Sequence, residues 1–280
     1  MQAGELIEFH GSEGLRLVAE RWGDPDARPV LLLHGGGQTR HAWGGTAREL
    51  ASRGWCSYAL DMRGHGDSDW HPEGHYQLDN YVADLLSVCQ QLPEAPVVVG
   101  ASLGGLTSLL ANETASASAY CGLVLVDITP RLETTGVERI LRFMRAHLDG
   151  FASIDEAARA VSEYLPERKA MANTSGLMKN LRTHDDGRYY WHRDPRFLDH
   201  IGQPSERDVQ RFLTGASRLE VPTLIVRGRM SDVVSEDTVR EFLALVPHAD
   251  FVDVSDAGHM VAGDRNDAFT DAVSAFMESL

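Results

Sequence analysis

One stretch of the chain, residues 96–104, constrains the fold more than any other. A short β-branched run at 97–99 is followed at once by Gly100-Ala101-Ser102-Leu103-Gly104 and then by apolar, helix-compatible sequence. This order predicts a buried strand, one tight turn and a helix, with Ser102 at the apex of the turn. The flanking glycines let the strand and the helix approach closely, and the strained turn pushes the Ser102 hydroxyl out of the sheet. The helix N-terminus behind it suits developing negative charge, so Ser102 is a candidate nucleophile.

Strands and helices alternate along most of the chain. A hairpin is predicted over 5–10 and 15–22, and buried strands are predicted at 30–33, 55–60, 97–99, 123–127, 221–226 and 250–254. Helices are predicted at 40–53, 77–92, 136–148, 153–165, 236–246 and 265–279. Buried strands separated by helices predict an α/β fold with a doubly wound, mostly parallel, eight-stranded sheet.

The alternation stops at about residue 130 and resumes near residue 218. We therefore predict a core formed by residues 1–129 and 218–280, with residues 130–217 inserted between two strands as a helical cap over the site. The second predicted helix of the insertion opens with Ser153-Ile154-Asp155-Glu156, which is a capping-box pattern.

Composition excludes several classes of function. The net charge of −15, from 26 basic and 41 acidic residues, argues against nucleic acid or an anionic membrane as partner. The N-terminus has no basic start or apolar run, and no stretch approaches about 18 uninterrupted apolar residues, so neither a signal peptide nor a spanning helix is predicted. Three cysteines without metal-like spacing predict reduced thiols in a cytoplasmic protein: Cys56, Cys89 and Cys121. A homodimer is left open.

Two further positions supply the groups that a nucleophilic serine needs. The hydroxyl requires a base to take its proton, and the base requires a carboxylate to orient it. His259 and Asp232 each follow a predicted strand, which places them at the sheet edge where Ser102 lies and where ligands bind in open α/β sheets. We predict Ser102, His259 and Asp232 to be the catalytic residues. Asp127 also ends a strand and is the rival to Asp232.

With these residues together, the chain resembles the α/β-hydrolase-fold family, in the branch of capped epoxide hydrolases, dehalogenases and esterases. The resemblance covers nearly the whole chain. Its matching pieces are His34-Gly35-Gly36-Gly37, Asp61-Met62-Arg63-Gly64-His65-Gly66-Asp67-Ser68, Gly100-Ala101-Ser102-Leu103-Gly104, Asp232 and Gly258-His259. Epoxide hydrolases and haloalkane dehalogenases of this family use a carboxylate nucleophile, so Ser102 disfavours those activities. A serine implies attack on a carbonyl carbon.

Residue order and resemblance together predict a cofactor-free and metal-free serine hydrolase that acts on a small, fairly apolar ester, with a thioester or lactone as related substrates. The backbone N–H groups of Gly36 and Leu103 are expected to stabilise the oxyanion, with Gly37 as a third candidate donor. Three alternatives stay open: a C–C bond hydrolase of the same fold, a perhydrolase side activity, and a ligand-binding protein with little turnover.

Other side chains near these motifs receive weaker assignments. The candidates to line the acyl pocket are Trp43, Met144, Trp191 and Met260, with ordinary core packing as the alternative for each and with Met260 and Trp191 favoured for the pocket. The resemblance implies that His34 supports the oxyanion loop, while His65 is expected to pack near the site and Asp61 to tie down the loop that follows it. Three arginines share one helical face, where a solvated surface is the default and recognition of a substrate carboxylate is the alternative: Arg139, Arg142 and Arg145.

Overall fold

The computed structural model describes residues 4–114, 119–165, 175–259 and 266–280. The strands are β1 (Glu5–His10), β2 (Arg16–Trp22), β3 (Pro29–Leu33), β4 (Cys56–Leu60), β5 (Val97–Ala101), β6 (Gly122–Val126), β7 (Leu181–Thr183), β8 (Tyr189–Trp191), β9 (Thr223–Gly228) and β10 (Asp250–Val254). The α-helices are α1 (Gly44–Ser52), α2 (Leu78–Gln91), α3 (Leu103–Thr114), α4 (Thr134–Ala146), α5 (Ile154–Tyr164), α6 (Ser175–Met178), α7 (Glu206–Ser217), α8 (Glu236–Leu245) and α9 (Asn266–Glu278). Short 3₁₀ turns lie at Ser12–Gly14, Arg40–Trp43 and Pro195–Asp199.

Eight of the strands form one sheet, in the order β1-β2-β4-β3-β5-β6-β9-β10. The β1–β2 and β2–β4 pairs are antiparallel, whereas every pair from β4 to β10 is parallel. The predicted α/β fold with an eight-stranded, mostly parallel sheet is thereby confirmed. The carboxyl ends of the six parallel strands share one edge, and this edge carries the candidate site.

Helices cover both faces of the sheet, which explains why its central strands are apolar without alternation. Leu31 and Leu33 of β3 face the layer formed by α2, α3, α7 and α8. Val30 and Leu32 face the opposite layer, formed by α1 and α9. Because successive side chains of a strand point to opposite faces, a strand covered on both sides must be apolar at every position.

The insertion between β6 and β9 differs in two ways from the predicted helical cap. It contains a two-stranded antiparallel sheet, β7–β8, besides its helices. Its last helix, α7, packs on the core: Asn112 Nδ2 of α3 donates to the Gly215 carbonyl over 2.8 Å. A Cβ on Gly215 would collide with the Leu109 carbonyl oxygen. Although the predicted boundary at residue 217 assigns α7 to the insertion, α7 therefore lies in the helical layer over the sheet.

Two further observations concern membrane crossing and the reactivity of the cysteine thiols. None of the helices in the described ranges has the length and apolar content needed to cross a membrane. All three cysteines are free thiols, with Cys56 and Cys89 buried. Burial raises the pKa of Cys89 to about 12, so this thiol stays protonated and unreactive.

Candidate active site

Ser102 occupies a strained turn between β5 and α3. Its φ is 47°, in the left-handed region that side-chain-bearing residues rarely adopt. The turn is possible because glycines lie two residues before and two residues after Ser102: a Cβ on Gly100 would lie 2.7 Å from the Gly104 carbonyl, and a Cβ on Gly104 would lie 2.6 Å from the Leu33 carbonyl oxygen. The sequence prediction of a strand, a turn and a helix around Ser102 matches the structure in every element. A non-glycine residue held in this conformation is a common mark of a functional site.

His259 is paired with Asp127 in the structure. His259 Nδ1 lies 2.7 Å from Asp127 Oδ2, and the Asp127 side chain is fully buried. The carboxylate also accepts from the Gly228 N–H over 2.9 Å and from the Ser231 hydroxyl over 2.5 Å. These donors hold the carboxylate in one orientation, so that its second oxygen faces the imidazole. A third group that orients a histidine in this way is what a serine-activating base requires.

The prediction that Asp232 orients His259 is not supported by this geometry. Asp232 lies in the loop after β9, but its carboxylate accepts from Arg139 Nη2 of α4 over 3.0 Å. A Cβ on Gly136, one turn earlier in α4, would collide with the Asp232 backbone carbonyl. Asp232 therefore joins the insertion to the core, and the rival candidate, Asp127, holds the position beside the histidine.

The strand order explains why Asp127 takes this position. Strand β6 is hydrogen-bonded directly to β5, and the Ser102 N–H donates to the Val126 carbonyl over 3.4 Å. Asp127 follows Val126 immediately, with a φ of 48° that turns the chain sharply at the strand end. The order of the elements could have favoured Asp127 from the sequence, because the strand that follows the helix after Ser102 pairs with the strand that precedes Ser102.

Among the described residues, no hydrogen bond joins the Ser102 hydroxyl to His259. The hydrogen bond between a serine and its base is often long in structures without substrate.

The glycine loop after β3 lies alongside Ser102. A Cβ on Gly35 would lie 3.4 Å from the Ser102 Cβ. Among the hydrogen bonds of the described residues, none uses the N–H of Gly36 or of Leu103. Gly37 differs, since its N–H donates to His65 Nε2 over 3.0 Å. The structure thus leaves the two predicted oxyanion donors free and shows that Gly37, the third candidate, is already engaged.

Two buried histidines brace this loop. His34 Nδ1 contacts the Gly35 carbonyl at 2.8 Å, and its Nε2 accepts from the Met62 N–H over 3.0 Å. His65 likewise contacts the Arg63 carbonyl through Nδ1 at 2.9 Å. In each ring, Nδ1 must carry the proton and Nε2 must be unprotonated, so both are neutral. Burial lowers the pKa of His34 and lowers that of His65 well below its usual range. Both are structural supports, as the sequence analysis expected.

These histidines predict a pH dependence of stability. Above pH 6.5, His65 is neutral in the folded and unfolded states; below it, the unfolded chain gains a proton that the folded protein excludes. The unfolding free energy should therefore fall as the pH drops below 6.5, by at most about 1.4 kcal/mol per pH unit for one proton. Urea midpoints at pH 7.5, 6.5 and 5.5 should show a smaller loss in His65→Gln. The exposed control variant, His10→Gln, should follow the wild type, and an equal loss in all three proteins would contradict this account.

Asp61 secures the loop that follows β4. Its carboxylate accepts from the backbone N–H groups of Arg40, over 2.6 Å, and of Asp67, over 3.0 Å. It also forms a buried ion pair with the Arg40 guanidinium. Asp61 therefore fastens its own loop to the segment after the glycine loop, which agrees with the structural role expected from the sequence.

The predicted pocket residues fall in different places. Met144 lies at the glycine loop, with its Cε 2.9 Å from the position of a Cβ on Gly37. Trp43 is 1% exposed and packs with Phe269 in the core layer of α1 and α9, so core packing, and not a pocket, accounts for it. Trp191 packs on aromatic rings inside the insertion. Met260 lies outside the described residues.

One group of side chains in the described ranges has the donor types of a metal site: Glu13, His71 and His75. Its members are already engaged, since Arg63 Nη1 donates to Glu13 Oε2 over 2.8 Å and His75 Nδ1 lies 2.7 Å from Glu13 Oε1. Hydrogen bonds from Arg63 and His75 lower the pKa of Glu13 to about 2. His71 Nδ1 accepts the Glu73 N–H over 3.1 Å, which leaves the proton on the nitrogen that a metal would need. We treat this group as an ion-pair network.

Comparison with known proteins agrees with the fold. The family model for the alpha/beta hydrolase fold matches residues 28–265. The esterase Rv0045c of Mycobacterium tuberculosis is 30% identical over 287 residues, an alignment that covers 99% of this chain and 91% of the esterase. The sn-1-specific diacylglycerol lipase ABHD11 of Mus musculus is 27% identical over 270 residues, covering 91% of this chain and 82% of the lipase. A solved alpha/beta hydrolase from Novosphingobium aromaticivorans DSM 12444 superposes with a TM-score of 0.84 at 25% identity and covers 100% of both chains.

The serine turn, the histidine–carboxylate pair and the glycine loop lie together at the carboxyl edge of the parallel sheet. The family match spans most of the chain. The chain belongs to the α/β-hydrolase-fold family.

Proposed function

We propose that the protein is a cofactor-free serine hydrolase that cleaves carboxylic esters through an acyl-enzyme on Ser102. The observation that carries the proposal is the His259–Asp127 pair beside the turn that holds Ser102. A protein that only bound its ligand would need no base oriented by a buried carboxylate. The related esterase and lipase support an ester as substrate.

The first half of the proposed reaction forms the acyl-enzyme. His259 Nε2 takes the proton of the Ser102 hydroxyl as the oxygen attacks the carbonyl carbon. Asp127 keeps the other ring nitrogen protonated and stabilises the imidazolium that forms. The carbonyl oxygen becomes an oxyanion, which the free N–H groups of Gly36 and Leu103 stabilise. When the tetrahedral intermediate collapses, the C–O bond to the leaving group breaks and His259 gives its proton to the departing alcohol.

The second half releases the acid. A water molecule attacks the acyl carbon while His259 removes its proton, and the same two N–H groups stabilise the second oxyanion. The intermediate collapses with return of the proton to Ser102, which leaves the free carboxylic acid and restores the enzyme. Every proton passes through His259, and the net reaction consumes one water and one ester with no change of oxidation state.

Covalent labelling tests this function directly. The wild-type protein should take up a fluorophosphonate on Ser102, identified by mass spectrometry of the labelled peptide, and should hydrolyse p-nitrophenyl esters. The dependence of kcat/KM on acyl length, from acetate to decanoate, then measures the length of the acyl site. Ser102→Ala should take up no label. The control variant Ser108→Ala, which removes a buried serine of α3, should still be labelled on Ser102. A folded wild-type protein that neither labels nor turns over any ester would contradict the proposal.

A further inference from the structure

One buried arginine in the insertion has no acidic partner among the described residues. Four arginines are buried in the described part of the chain, and Arg40, Arg63 and Arg227 each form an ion pair with at least one carboxylate. Arg193 is 5% exposed, yet within the described ranges its guanidinium donates only to the Met144 carbonyl, over 2.9 Å from Nη2. Its Nη1 is buried and has no hydrogen-bond partner.

The electrostatics agree with this isolation. Burial lowers the pKa of Arg193 to about 10, and no acidic side chain acts in the opposite direction. An unpaired charge in a protein interior is costly, and buried charges are normally paired. A buried guanidinium with no counter-ion in the described part of the chain retains the capacity to pair with an anion from outside.

Arg193 lies next to the candidate active site, so an anion that pairs with it would lie close to that site. Its Nε lies 3.6 Å from the position of a Cβ on Gly37, and its guanidinium lies 5.9 Å from the centre of the Phe197 ring. That ring in turn packs against Gly36, where a Cβ would lie 2.9 Å from Phe197 Cζ. Arg193 therefore borders the loop that carries the Gly36 oxyanion donor.

We propose that Arg193 binds a carboxylate on the substrate, so that the enzyme acts on esters bearing a free carboxylate, such as monoalkyl esters of short dicarboxylic acids. This deepens the proposed function and rests on it. A carboxylate accepts from the unused Nη1, which removes the unsatisfied donor and neutralises the buried charge, and charge-assisted bonds of this type are strong. The arginine face singled out from the sequence is less suited, since Arg139 already pairs with Asp232.

The test compares pairs of substrates that differ only in the charged group. Monomethyl succinate and methyl butyrate have the same backbone, with a carboxylate in one where the other has a methyl group. The wild type should prefer monomethyl succinate, measured as the ratio of the two kcat/KM values. Arg193→Met should lower this ratio about 100-fold, as expected when one member of a buried charge pair is removed. Arg193→Lys, which keeps the charge, should recover part of it.

A second substrate pair and a second arginine serve as controls. Butyryl glycolate and ethyl butyrate differ in the same way, but in the alcohol part of the ester. If the wild type prefers the charged substrate in only one of the two pairs, Arg193 binds a carboxylate in the acyl part or in the alcohol part, respectively. Arg182→Gln removes an equal charge from β7, where Arg182 is exposed and paired with Asp67, and should keep the wild-type ratio. A wild-type ratio of one or less in both pairs, or an unchanged ratio in Arg193→Met, would overturn the carboxylate site while leaving ester hydrolysis intact.

Binding supplies a readout that does not depend on turnover. Calorimetry with Ser102→Ala should detect monomethyl succinate, and the double variant Ser102→Ala/Arg193→Met should lose this binding. Equal binding by the two proteins would refute the role of Arg193 even if no ester is hydrolysed. Thermal unfolding separates this role from a structural one. Because an unpaired buried charge is removed, Arg193→Met should unfold at the same temperature as the wild type or higher, whereas a structural arginine would give a lower one.

Discussion

Replacing Asp127 by asparagine should lower kcat for ester hydrolysis about 10⁴-fold, the size of effect expected when the orienting acid of a serine–histidine pair is made neutral. The amide keeps the volume of the carboxylate, but it offers Nδ2–H groups where His259 and Ser231 now share one acceptor oxygen, Asp127 Oδ2. The imidazole then loses the group that keeps Nδ1 protonated, so the unprotonated Nε2 that should accept the Ser102 proton is no longer selected. Initial rates with p-nitrophenyl butyrate measure the effect.

Asp232→Asn is the matched control for this substitution. It makes the same chemical change in the other acid that follows a strand at this edge, but its carboxylate faces Arg139, and both side chains are about one-third exposed. A surface ion pair contributes about 0–1 kcal/mol, so kcat should change by less than about 5-fold and the urea midpoint only slightly. The opposite pattern, with activity lost in Asp232→Asn and retained in Asp127→Asn, would show that Asp232, and not Asp127, orients His259. Circular dichroism of both variants establishes that they are folded.

Adding a single methyl group at Gly104 should reduce both stability and activity. The new Cβ would lie 2.6 Å from the Cβ and the carbonyl oxygen of Leu33, and 2.9 Å from its carbonyl carbon. Two of these are backbone atoms of a central strand, which cannot rotate away as the end of a side chain can. The start of α3 must therefore move away from β3, with an expected loss of about 1–3 kcal/mol in unfolding free energy. Urea unfolding of Gly104→Ala measures it.

The same movement displaces the Leu103 N–H and the Ser102 hydroxyl relative to the glycine loop. A displaced oxyanion donor costs about as much as a missing one, so kcat should fall about 10²-fold or more. Gly44→Ala is the control, since Gly44 begins α1 and a Cβ there meets nothing within 4 Å. That variant should stay within about 0.5 kcal/mol of the wild type and keep its activity. Equal effects of the two substitutions would show that close packing at Gly104 is not what holds the turn.

The positions of the strands and helices in the sequence can be predicted from short stretches of residues. The strand predicted at 250–254 has the observed bounds of β10, and the helix predicted at 77–92 differs from α2 by one residue at each end. Both follow from side-chain periodicity, which depends only on near neighbours along the chain. The Ser102 turn is local in the same sense, since its glycines lie within two residues of the serine.

Contacts between residues that are far apart in the sequence cannot be predicted from side-chain periodicity. Periodicity gave no means to separate a core tryptophan from one that lines a pocket, so both environments stayed open for Trp43 until the structure placed it in the core. Gly37 was a candidate oxyanion donor until the structure placed the His65 ring against its N–H. That Arg193 meets no acidic side chain among the described residues likewise has no signature in the sequence, because it depends on what the other charged residues contact.

The sequence by itself determined the α/β fold, the serine turn, the histidine and the glycine loop, because each is encoded by a short run of neighbouring residues. Only the tertiary structure decided between Asp127 and Asp232, since both follow strands at the same edge. The order β5-β6-β9 is a property of the assembled sheet, and it brings the end of β6 beside Ser102 while the loop after β9 reaches α4 of the insertion. The carboxylate that contacts His259 thus depends on which strands pair in the assembled sheet, and not on the residues next to Asp127 or Asp232 in the sequence.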